Sequence, residues 1–290
     1  MGIAGKEFAQ FAPEATRGTV GTSWTSVDLH GEGLRIQESR TAFEGKFAST
    51  FPMMTRVVKT GKKGEGKLVT PVFASNMQTM LEMAIKRTSG ALDSFSWQKA
   101  KTNGEYARYL GSVCEQLTIR WGADDSPVIF DYDWKTLGLA TGTSFSAGSV
   151  ASGTPLMGLK TVVTVNGQSF QQLSGEITIA NNLVVGPPNP TTGYPLFIKD
   201  GGRRVQILLR QSLDDALLGA ILRANSIVPI VANFYSGVGT EELTLTMAEV
   251  QILEGPEEAQ DQWANVEQPV TGVCQKPTAA NDIVPTYVTS

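Results

Sequence analysis

The stretch VCEQLTIRWGADDSPVIFDYDWK, residues 113–135, decides the fold class. Val113, Leu117, Ile119 and Trp121 fall on one side of an extended chain, with Gln116, Thr118 and Arg120 on the other. After a polar break around Asp124 and Asp125, Val128, Phe130, Tyr132 and Trp134 oppose Asp131, Asp133 and Lys135. Successive side chains of a strand point to opposite faces, so this alternation predicts two strands, each with one buried and one wetted face.

The same period continues along the chain. Leu159 to Val165 and Leu173 to Ile179 alternate likewise, and the Asn166-Gly167 pair after the first predicts a hairpin, because both residues tolerate the positive φ of a type I′ turn. Val205 to Leu209, Val228 to Tyr235 and Leu243 to Leu253 complete the set; in the last, the apolar phase switches between Met247 and Val250, which predicts a bulge. Two helices interrupt the strands. Ser75 is placed to cap the first, with Gln78 three residues on and Met77, Met80, Leu81, Ala84 and Ile85 as its apolar stripe, ending at Gly90. Ser212 caps the second, with Asp215 at the third position, the stripe Leu213, Ala216, Leu217, Ala220 and Ile221, and Asn225 for a left-handed end. Strand, helix, strand, strand thus occurs twice, around residues 66–134 and 203–253. The expected fold class is mainly β, or β-rich α+β, over residues 41–255, flanked by two short helices.

At 290 residues and 41% hydrophobic, the chain can bury a substantial core. Residues 1–40, rich in Gly, Thr and Ser, and 256–290, with Pro256, Pro269, Pro277 and Pro285, read as terminal arms. Only 18% of residues are charged and the net charge is -4, which argues against a surface that grips nucleic acid through its phosphates. Met1 to Phe11 has no continuous apolar run and no stretch reaches about 18 apolar residues, so neither a signal peptide nor a membrane span is expected. Cys114 and Cys274 form no disulfide framework and no metal spacing, and both read as free thiols.

Signals for chemistry are thin. Gly61-Lys-Lys-Gly-Glu-Gly-Lys-Leu68 has the spacing of a phosphate-binding P-loop, but Leu68 stands where Ser or Thr would hold magnesium, and a strand rather than a helix follows. His30 is the only histidine and lies in the N-terminal arm, which leaves Ser-His-Asp or Cys-His catalysis without a core base. The pairs Asp124-Asp125, Asp214-Asp215 and Glu241-Glu242 read as turn or helix-start residues. No catalytic, cofactor or metal residue is assigned.

One resemblance stands out. Gly66-Lys-Leu-Val-Thr-Pro71 leading into the helix from Ser75, then Tyr109-Leu-Gly-Ser-Val-Cys-Glu-Gln-Leu-Thr-Ile119, is similar to the first half of siphophage tail tube proteins. Gly202-Arg-Arg-Val-Gln-Ile-Leu-Leu209, the helix from Ser212, Ile230 to Tyr235 and Glu242 to Leu253 resemble that family's closing strand, helix, strand, strand. The likeness spans roughly residues 40–255 and rests on element order and spacing. It implies an antiparallel β-sandwich or barrel of tail-tube type, and a non-enzymatic virion protein assembled in the host cytoplasm. Its copies would form homo-oligomeric rings, usually hexameric, stacked head to tail, with tape measure and other tail proteins as further partners. Double-stranded DNA would pass through the lumen without specific binding, and no membrane is involved. A tail terminator or capsid component, or a soluble β-sandwich binding module, remains open as an alternative.

Site expectations come from that resemblance and, independently, from the distribution of charge. Residues 137–154, built of Gly, Ser, Thr and Ala, would be the long inter-ring loop, with Leu139, Thr143, Phe145 and Val150 as its candidate contact residues, or else a plain surface loop. Asp131 and Asp133, two residues apart on one strand face, would either bind a cation or line an electronegative lumen that repels DNA phosphates; the lumen is favoured, because a hard cation wants more oxygens than two carboxylates supply. Lys62, Lys63 and Lys67 lie in a basic stretch, whereas residues 224–275 hold eight acids, including Glu257 and Glu258, and no Lys or Arg. Such opposite signs would suit head-to-tail stacking, or belong simply to solvated faces.

Overall fold

The structure is a computed structural model of the 290-residue chain and describes residues 9–27, 34–46, 55–88, 90–100, 106–141, 153–170, 172–211, 221, 224–236, 242–254, 268–274 and 283–288. Strands dominate. In chain order they are β1 (Ala9–Pro13), β2 (Thr25–Val27), β3 (Leu34–Lys46) and β4 (Thr55–Pro71), then helix α1 (Met77–Ile85), β5 (Arg87–Thr88), β6 (Ala91–Leu92), β7 (Phe95–Ala100), β8 (Tyr106–Gly122), β9 (Ile129–Thr136) and β10 (Gly138–Thr141). There follow β11 (Val162–Val165), β12 (Gln168–Phe170), β13 (Gln172–Ala180), β14 (Leu183–Val185), β15 (Ile198–Asp200), β16 (Arg204–Gln211), β17 (Ile227–Tyr235), β18 (Glu242–Glu254), β19 (Gln268–Cys274) and β20 (Val284–Val288). Sixteen of them join in one antiparallel sheet.

The 113–135 stretch is the hub of that sheet. β8 is 17 residues long and changes partners midway: its first half lies between β7 and β10, its second between β9 and β13. Irregularities at the change, where Gly111 takes φ 62° and the register slips around Glu115, bend the strand as a bulge does. From the second half of β8 the ladder runs through β13, β16, β19, β18 and β17. Pro155 to Met157 then closes it: the Met157 N–H donates to the Tyr235 carbonyl, the Leu156 N–H to Val72, and the Val128 N–H to Leu156. The chain of hydrogen bonds thus returns to β9, which pairs with β8, so the large sheet is closed in the manner of a barrel. Closure leaves fewer strand edges to satisfy.

The interior follows the alternation. Leu117, Ile119, Phe130, Ile177, Ile179, Ile207, Ile230, Phe234 and Leu245 are all buried in one core. Trp97 of β7 stacks on Trp134 of β9 with ring centroids 4.6 Å apart, and Trp121 meets Phe234 edge-on at 5.1 Å. Each such pair contributes about 1 kcal/mol beyond its burial. The Asn166-Gly167 hairpin and the Met247–Val250 bulge are both present, joining β11 to β12 and shifting the β17–β18 register.

Several elements differ from the sequence expectation. Helix α1 starts at Met77 with Asn76, not Ser75, as its first flanking residue, and its stripe of Met77, Met80, Leu81 and Ala84 is buried. It stops at Ile85 because Arg87–Thr88 and Ala91–Leu92 pair as a small hairpin, with Gly90 at φ 83° in its turn rather than at the helix end. Of the second helix, Ile221 and Ala224 are helical, Asn225 has φ 48°, and the Ser226 N–H reaches the Ile221 carbonyl. These are the marks of a Schellman end; residues 212–220, with the Ser212 cap, lie outside the described residues.

Parts of both terminal arms belong to the sheet. β1 is paired with β7 and buries Ala9, Phe11 and Ala12. Beside it the Glu14 carboxylate accepts hydrogen bonds from Ser94 Oγ, Ser96 Oγ and the backbone of Gly18 and Gly111. At the other end β19 lies between β16 and β18, so residues 268–274 complete the closed sheet. Local composition misleads at both ends because the groups that order these segments lie far away in sequence.

Candidate functional site

Where β4, β8 and β9 lie side by side, their outward residues form one charged face. Three strands deliver it by alternation: Glu65 and Lys67 from β4, Asp131, Asp133 and Lys135 from β9, and Arg120 from β8, with Glu115 at the β8 irregularity. Asp131 is nearly covered, its side chain 7% exposed, and pairs with Lys67 at 3.1 Å and with Arg120. Lys135 bridges Glu115 at 3.0 Å and Glu65 at 3.4 Å. A shallow depression lined by Glu65, Gly66, Lys67, Glu115, Asp133, Trp134 and Lys135 lies between the two ion-pair clusters.

Electrostatics separate the two aspartates. Burial pushes the Asp133 carboxyl above its ordinary range, and Lys67 only partly counters this while Asp131 and Glu115 add to it. Burial alone would lower the Lys135 ammonium, but the hydrogen bond and charge of Glu115, with Glu65 behind it, hold it above its usual value. The face therefore carries both signs in fixed pairs. Its chemistry is that of a polar wall.

The P-loop-like glycines have another explanation. Gly64 and Gly66 sit directly across from Thr136 and Trp134, and a β-carbon at either would collide with the side chain opposite. Gly175 stands in the same relation to Trp121 across the β8–β13 pair. Residues 61–68 run within β4 as continuous strand, a backbone that does not form the phosphate-cradling loop.

Other expected site residues are scattered. Lys67 lies on the charged face; Lys62 donates its backbone N–H to the Gly193 carbonyl and holds its ammonium 5.2 Å from the Tyr194 ring centroid. Lys63 is a β4 residue paired with Ser39. Leu139 is not in a loop: it sits in β10 opposite Tyr109 and packs against the core. Thr143, Phe145, Val150, Glu257, Glu258 and His30 lie outside the described residues.

The chain matches no family model and no curated protein. Among the described residues, no group of three His, Cys, Asp or Glu side chains is placed to hold a metal ion, and no helix is long and apolar enough to cross a membrane. Trp24, Trp97, Trp121 and Trp134 are buried, so none stands on the surface as a stacking platform. Sequence reading singled out Asp131 and Asp133 but missed Arg120, which pairs with Asp131, and the Lys135–Glu115 pair on the same face; the alternation that placed the aspartates on one face also carries the two cations.

Proposed function

We propose that this chain is a structural subunit of a phage tail tube, which polymerises into stacked homo-oligomeric rings with a central channel for double-stranded DNA. Tape measure and other tail proteins are its partners, the virion its place, and no bond is made or broken. The observation that carries this reading is the wide antiparallel sheet with an ion-paired outward face. Acids held against cations give a wall without a strong field of either sign, over which a polyanion slides rather than sticks. Edge strands add support: among the described residues β2, β3, β12 and β20 each pair on one side only, and neighbouring copies would satisfy such edges. The resemblance of the sequence to siphophage tail tube proteins in element order and spacing points the same way.

Negative-stain microscopy of the purified full chain tests the reading. Long tubes with an axial channel are expected. Monomers at every concentration, or closed shells, would overturn it in favour of a soluble module or a capsid component.

A further inference from the structure

The stretch from Leu183 to Asp200 leaves the main sheet as a separate hairpin, β14 against β15, and it is unusual in what it displays. Val184, Val185, Leu196 and Phe197 are large apolar residues, yet each is between 38% and 54% exposed. By register, Val184 and Phe197 share one face of the hairpin with Lys199, and Val185 and Leu196 the other; exposed apolar side chains gathered on a short excursion mark an interaction site.

The hairpin is stiff, which argues that its exposure is built in. Gly186 and Phe197, and Leu196 and Pro187, are joined by backbone hydrogen bonds of 2.9 Å. At the tip Asn189 Oδ1 accepts from the backbone of Thr191 and Thr192, while the Asn189 N–H donates to the Tyr194 carbonyl. Its base is anchored three ways: Ile198 and Tyr194 are buried, Arg17 donates to the Ile198 carbonyl, and Asp200 pairs with Arg87 at 2.9 Å. Little ordering entropy remains to be lost when a partner binds, which favours affinity. Two cations flank the apolar residues, Lys199 over the Phe197 ring and Lys62 over Tyr194.

A surface of matching chemistry lies elsewhere on the same molecule. Glu249, Gln251 and Leu253 share the outward side of β18, and Ile227 of β17 stands directly opposite Gln251. Ile227 and Leu253 are 49% and 50% exposed. They lie within the span 224–275, which has acids but no Lys or Arg. We infer that the β14–β15 hairpin of one copy docks on the Ile227–Leu253–Glu249 surface of a second copy, with apolar side chains in contact and Lys199 facing Glu249. Because the two surfaces differ, the contact is heterologous and repeats from copy to copy, closing a ring where the rotation allows. This deepens the tube reading and rests on it, by naming which surfaces join.

The experiment uses the full chain, with assembly followed by sedimentation and negative-stain microscopy and folding followed by circular dichroism and thermal unfolding. Leu196→Ser with Phe197→Ser is expected to leave the fold and melting temperature intact and to raise the concentration needed for assembly about tenfold or more. Lys199→Glu should weaken assembly, and adding Glu249→Lys to the same chain should restore it. Assembly of the Leu196/Phe197 variant at the parent concentration, or failure of the charge swap to rescue, overturns the inference. A parent protein that never assembles sinks the tube reading itself, whereas a parent and hairpin variant that assemble alike sink only the hairpin contact.

Discussion

The indole of Trp134 on β9 occupies the space in which a β-carbon on Gly66, its direct cross-strand partner on β4, would stand. Trp134 in turn stacks on Trp97, so it has no room to retreat. Gly66→Ala should therefore lower stability by about 2–3 kcal/mol, the usual cost of overpacking a filled core. Urea denaturation checks this; an alanine variant as stable as the parent would mean that the close approach is absent.

Asn181 makes a second tie across the fold. It is fully buried and its amide donates to the carbonyls of Ala84, at the end of α1, and Cys114, on β8, at 2.9 and 3.1 Å. Asn181→Ala removes this buried donor from both carbonyls and should cost about 3 kcal/mol. Faster amide exchange at Lys86, whose N–H closes the last turn of α1, should accompany the loss.

The two aspartates of β9 should respond oppositely to removal of charge. Asp131 holds two cations, but these are 44% and 48% exposed and can be rehydrated, so Asp131→Asn should cost only about 1 kcal/mol and less at high salt. Asp133 has its carboxyl raised by burial, meaning that the folded state binds the proton more tightly than the unfolded state. Its penalty is absent below the ordinary carboxylate range and grows as pH rises through the raised value. Asp133→Asn should thus raise the melting temperature at pH 7 and make no difference near pH 3. A variant less stable than the parent at neutral pH would refute this assignment.

Burial, with Asp133 and Glu115 nearby, also pushes the Cys114 thiol well above its ordinary range. Since the thiolate is the reactive form, Cys114 should resist iodoacetamide in the folded protein at pH 8 and react once urea is added. Mass spectrometry of the peptide carrying Cys114 measures both states.

Much of the fold was legible in local pattern. The β8–β9 alternation, the Asn166-Gly167 turn, the Met247–Val250 bulge and the left-handed Asn225 depend on a few adjacent residues, and the structure has each of them. The P-loop-like glycines were visible too, but not their purpose, because Trp134 and Thr136 stand opposite them only once β4 and β9 are in register. β19 was invisible for a related reason: Gln268-Pro-Val-Thr-Gly-Val-Cys274 has little strand character alone and is a strand because β16 and β18 leave a place between them.

What the amino-acid order determined by itself is therefore the β class, the face on which each strand residue lies and the positions of the sharp turns, since φ preference and two-residue periodicity act within a few bonds. Tertiary structure alone decided the closure through Pro155–Met157, the incorporation of β1 and β19, the pairing of Asp131 with Lys67 and Arg120, and the stiff exposure of the β14–β15 hairpin. Each of these depends on groups distant in the chain meeting at hydrogen-bonding or van der Waals range, which no local pattern encodes.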